Sequence, residues 1–140
     1  MVERPKLPAG LKVLVVEDEY LIAANLCKEL SERGVAPVGP FGCLGRALEE
    51  VESGRTIDAA ILDINIGGRS AYPLADRLVA FGIPFVFGTG YDNWTIPERF
   101  LAITRLEKPL DPDTIITNLA TLHRCQPAAE SWMSCKLSSP

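Results

Sequence analysis

The sequence has no long hydrophobic run, no cluster of basic residues and a single histidine, His123. Its 140 residues carry a net charge of -4 with pI near 5.0, and phosphate binding draws on grouped Lys and Arg, so direct nucleic-acid contact is not expected. No apolar stretch reaches the roughly 20 residues that span a bilayer. The opening MVERPKLPAG also lacks the apolar centre of a secretion signal. The expectation is a cytoplasmic chain without membrane insertion. Cys27, Cys43, Cys125 and Cys135 form no C-x-x-C pair, and no histidine set stands at ligand spacing, which argues against a zinc site or a redox motif. Neither G-x-G-x-x-G nor a G-K-[ST] loop is present, so a nucleotide-binding fold is disfavoured.

What the sequence does contain is enough apolar material, 47% of positions, for one domain with a substantial core. Strand-like and helix-like segments alternate. Leu11 to Val16 reads as a buried strand. Glu19 to Arg33, with Leu21, Ile22, Leu26 and Leu30 at helical spacing, reads as a helix stopped by Gly34. Val35 to Gly39 gives a second strand, CLGRALEEVESG a second helix, and Asp58 to Ile64 a third strand. After the Gly67-Gly68 turn a helix is expected from about Ser70 to Phe81. IPFVFGTG is a fourth strand, YDNWTIPERFLA a short and poorly patterned connection, and ITRLEKP a fifth strand. In DPDTIITNLATLHR, Asp111 can cap a last helix with Pro112 in its first turn. This order predicts an α/β fold: a doubly wound five-stranded parallel sheet with helices on both faces. The domain runs over 10–124, with an extension at 1–9 and a Ser- and Pro-containing tail at 125–140.

Ligands of such sheets bind outside the carboxyl ends of the strands. Those ends carry Glu17 and Asp18, then Asp63, then Thr89, then Lys108. Each has a plainer explanation: Asp18 as a helix cap, Asp63 as a turn former, Thr89 as a turn hydroxyl, Lys108 as a solvated charge. Their arrival at one edge in successive units favours a common site. Carboxylates gathered in one cleft repel one another unless a divalent cation neutralises them, and an oxygen-only set suits Mg²⁺. A carboxylate beside such an ion can attack phosphorus, with the metal and Lys108 stabilising the transferring charge.

VLVVEDE, AAILDINI, FVFGTG and LEKPL, in that order over about 10–124, resemble the receiver domain of bacterial two-component response regulators. The resemblance implies that Asp63 accepts a phosphoryl group from a histidine kinase or a histidine phosphotransfer protein. It implies Mg²⁺ ligands in Glu17, Asp18, Asp63 and the backbone carbonyl of Asn65. Thr89 and Lys108 would contact the phosphate, and Pro109 would follow a cis bond. FGTGYD also partly matches a variant class of stand-alone receivers with a Phe-Ala-Thr-Gly signature, with Gly88 in place of the Ala. The sequence departs from the usual pattern at Arg105, where receivers often carry Tyr or Phe.

After Arg124 too few residues remain for an output domain, so the signal is expected to leave through the receiver's own surface, by binding a downstream protein target or by acting as a phosphate sink. Trp94, Ile96, Phe100 and Arg105 are the expected output face, with ordinary packing the alternative for each. The expected state is a monomer or a phosphorylation-dependent homodimer, and no enzyme beyond its own phosphotransfer chemistry. Two other readings stay open: a receiver-like interaction module independent of phosphate, and an aspartyl-phosphate hydrolase. Asn65 disfavours the second, because such hydrolases usually place an acid two residues after the nucleophile. His123, far in sequence from the acidic edge, reads as a residue of the last helix rather than a relay histidine.

Overall fold

A computed structural model describes residues 10–90 and 95–124. The run Val13 to Val16 is buried on every residue, as befits a strand covered on both faces, and it forms the centre of β1, Lys12–Val16. Chain order continues with α1 (Tyr20–Glu32), β2 (Ala36–Phe41), α2 (Leu44–Glu52), β3 (Ala59–Asp63), β4 (Asn65–Ile66), β5 (Arg69–Ser70) and α3 (Tyr72–Ala80). Then come β6 (Phe85–Thr89), a 3₁₀ turn at Glu98–Phe100, β7 (Arg105–Glu107) and α4 (Pro112–Arg124).

Five strands form one parallel sheet in the order β2-β1-β3-β6-β7, the doubly wound α/β arrangement that the alternation of segments predicts. β4 and β5 pair separately as an antiparallel hairpin. Its two-residue loop, Gly67 and Gly68, has φ of 59° and 84°, the conformation of a tight hairpin turn that glycine adopts without a Cβ penalty. This hairpin takes up Ser70, so α3 begins at Tyr72 rather than at the expected Ser70. Pro37 and Pro40 lie on β2, an edge strand, where missing amide donors are tolerated.

The buried stripe of α1 is Ala23, Leu26 and Leu30, three and four residues apart. That rotation leaves Leu21 80% exposed and Ile22 at the margin, so the expected stripe is correct in its second half only. Asp111 caps α4 as expected, its Oδ2 accepting from the Thr114 amide at 2.9 Å. The expected irregular fourth connection is the 3₁₀ turn, anchored by Phe100. That ring is 1% exposed and packs with Tyr72, Phe85 and Phe87 at centroid distances of 5.6, 6.4 and 5.8 Å. Among the described residues no helix is long and apolar enough to cross a membrane.

Candidate functional site

Sheet register alone brings the predicted residues together. Val16 of β1 stands opposite Leu62 of β3, so the next residues, Glu17 and Asp63, leave adjacent strands at the same height. Asp63 in turn pairs with Gly88 of β6, and Thr89 pairs with Glu107 of β7, after which comes Lys108. The chain therefore meets itself at one edge, across 91 residues between Glu17 and Lys108.

Lys108 Nζ donates to Glu17 Oε1 at 2.7 Å and to Asp63 Oδ2 at 2.6 Å. Lys108 thus offsets part of the charge of two buried acids, for Glu17 and Asp63 are only 4% and 7% exposed. Burial of Glu17, followed by its approach to Asp63, pushes its pKa up to about 7 in spite of Lys108. Burial draws the Lys108 ammonium down, but its hydrogen bonds to Asp63 and Glu17 outweigh that and hold its pKa above the ordinary lysine value. One cation is thus shared between two buried carboxylates, and negative charge is left only partly compensated.

Asp18 is exposed and does not act as the cap of α1 that its position allows; its Oδ2 accepts from the Gly67 amide at 2.8 Å. Asn65 is half-buried. Its amide donates to Asp63 Oδ1 at 3.1 Å, and its side-chain oxygen accepts from the Gly68 amide at 2.9 Å. The β4–β5 hairpin therefore braces both acids, a role the sequence reading missed. NIGGRS, where two glycines separate short flanking segments, signals the hairpin itself but not the acids it braces.

Thr89 is half-buried at the end of β6, and its carbonyl accepts from the Lys108 amide at 2.9 Å. A pocket of about 130 Å³ opens over Asp63, lined by Asn65, Thr89, Gly90, Ile96 and Arg105 among others. The Lys108–Pro109 bond is cis. Of the expected output face, Ile96 is half-buried and Arg105 exposed, both at this pocket. Phe100 is not on the surface at all: its ring fills the aromatic cluster, so its placement on that face is corrected. Trp94 lies outside the described residues.

Oxygens of Glu17, Asp18 and Asp63 lie within 4.8 Å of one another. An octahedral Mg²⁺ with ligands at about 2.1 Å separates opposite oxygens by about 4.2 Å, so this spacing is close to what the ion needs. The oxygen-only donors and the uncompensated charge at Glu17 fit a hard divalent cation as well.

No family model matches the chain, and no curated protein matches it. Solved structures do. The solution structure of SdrG from Sphingomonas melonis Fr1 is 37% identical, with a TM-score of 0.67 over 81% of this chain and 98% of that one. The BeF3-activated conformation of SdrG, from Pseudomonas melonis Fr1, is 41% identical, with a TM-score of 0.65 over 81% and 97%. The response regulator REC domain of PhyR from Erythrobacter litoralis is 26% identical, with a TM-score of 0.64 over 79% and 90%.

Proposed function

The chain belongs to the receiver domains of response regulators, and from that membership we propose that Asp63 is its phosphoacceptor, charged by a histidine kinase or a histidine phosphotransfer protein. The observation that carries this reading is the Lys108 ammonium held between Glu17 and Asp63, with Asp18 beside them. Glu17, Asp18, Asp63 and the Asn65 backbone carbonyl are the proposed Mg²⁺ ligands. When bound, Mg²⁺ neutralises the carboxylates and the oxygens of the transferring group.

The chain's own residues do the rest. A carboxylate oxygen of Asp63 attacks phosphorus of the partner's phosphohistidine. An O–P bond forms as the P–N bond breaks, and the imidazole leaves, protonated by solvent. Hydrogen bonding from the Asn65 amide orients the attacking carboxylate. Lys108 then exchanges its Asp63 contact for a phosphoryl oxygen while staying by Glu17. Thr89, in the same pocket, donates its hydroxyl to the new group. The added charge shifts the segment around Ile96 and Arg105 between two arrangements, and that surface passes the signal to a downstream protein. The receiver occupies 10–124, flanked by an extension and a tail.

The experiment is phosphate incorporation from acetyl phosphate, followed by intact mass with and without Mg²⁺. One Mg²⁺-dependent adduct in the native chain and none in Asp63→Ala is the expected result. An adduct that persists in Asp63→Ala overturns the assignment.

A further inference from the structure

Arg105 lies at the pocket over Asp63. It opens β7, the edge strand, in register with Phe87 of β6, and its side chain is exposed. It lines the same 130 Å³ pocket as Asp63 and Thr89. Arg33, Arg55, Arg77 and Arg99 are each held by a carboxylate, at 2.9, 3.0, 2.6 and 2.8 Å. Among the described residues Arg105, like Arg46 and Arg69, has no ion-pair partner, and of these three it is the one that lines the pocket over Asp63. Burial raises the pKa of the Tyr72 hydroxyl, and the Arg105 charge opposes that rise.

Charge balance gives this free cation something to do. A phosphoryl group carries roughly two negative charges. Together with Glu17 and Asp18 it exceeds the charge of one divalent cation and Lys108 by about one. A guanidinium supplies that charge and, with its planar fork of donors, matches two oxygens of a phosphoryl group where an ammonium matches one.

We infer that Arg105 is an oxyanion-binding residue that engages the phosphoryl group on Asp63, an inference that rests on the phosphoacceptor reading above. The residue that departs from the usual aromatic pattern then takes part in binding the phosphoryl group, and it couples the first residue of β7 to the state of Asp63. The same contact draws the exposed side chain inward over the pocket, changing the surface beside Ile96.

Beryllofluoride with Mg²⁺ is the probe, its binding followed by fluorine NMR in the full chain. Arg105→Gln is expected to bind it about tenfold more weakly than the native chain, the loss of one charge-assisted hydrogen bond. Arg105→Lys should recover part of that loss. Mg²⁺ affinity without beryllofluoride, and the melting temperature of the free chain, should be unchanged in both. Equal beryllofluoride affinity in Arg105→Gln overturns the inference, as does a loss matched by an equal loss of Mg²⁺ affinity, which marks a structural role. If the native chain binds no beryllofluoride while binding Mg²⁺, the phosphoacceptor reading itself falls, and this inference with it.

Discussion

The Gly67 amide donates to Asp18 Oδ2 at 2.8 Å, fastening the tip of the β4–β5 hairpin to the loop that follows β1. The contact depends on backbone shape, since Gly67 sits at φ 59° in the left-handed region. A Cβ there would meet nothing within 4 Å, so only conformational strain opposes a side chain. Gly67→Ala should therefore cost about 1 kcal/mol of stability, and Gly67→Asn less, because Asn tolerates this region. Mg²⁺ affinity, measured by calorimetry, should fall in the same order as Asp18 loses its brace. Equal affinities in all three chains would show that the hairpin does not position Asp18.

Acid titration gives the second prediction. In the metal-free chain the Glu17 carboxyl is pushed up to about 7 from its ordinary 4.5. Between those values the folded chain keeps a proton that the unfolded chain has released. Stability contributed by the protonated form is fully present below about 4.5 and is lost as pH rises through about 7. Urea unfolding in a chelator should show this decline, and Glu17→Gln should flatten it. Because a cation must displace the same proton, Mg²⁺ affinity should rise by up to about tenfold per pH unit below 7 and level off above it. An undiminished slope in Glu17→Gln would assign the titration to another group.

Much of the fold was legible because its signals are local. VLVV and AAIL are unbroken apolar runs, and Asp111-Pro112 marks the start of α4. The edge was legible because strands joined by helical crossovers run parallel, which puts the strand ends carrying Glu17, Asp63, Thr89 and Lys108 on one side of the sheet. Two features were not. The hairpin bracing of Asp18 depends on which amide points across to a loop 49 residues away, and no periodicity encodes that. The burial of Phe100 was hidden because its neighbours Glu98 and Arg99 are exposed and its partners Tyr72, Phe85 and Phe87 lie elsewhere in the chain. Leu21 misled in the opposite direction: it fits the helical spacing of α1 yet faces outward, because the rotation is set by Ala23, Leu26 and Leu30.

That correction makes Phe100 a discriminating position. A residue that only meets a partner can be truncated with little change in the free chain's stability, within about 0.5 kcal/mol. A ring at 1% exposure, stacked at 5.6 Å on Tyr72 and edge-on to Phe87, leaves a cavity when removed. Phe100→Ala should cost about 3–5 kcal/mol, since lost burial and an unfilled void add. Ile96→Ala, at a half-buried position, should cost about 1–2 kcal/mol. Urea unfolding of the two variants checks the order. The cavity beneath the 3₁₀ turn also removes the anchor of the segment that leads into β7, so Phe100→Ala should speed hydrogen exchange at Leu101 and Ile103 more than at Val13 or Leu14. A near-neutral Phe100→Ala would return Phe100 to the surface face and place the anchor of that turn elsewhere.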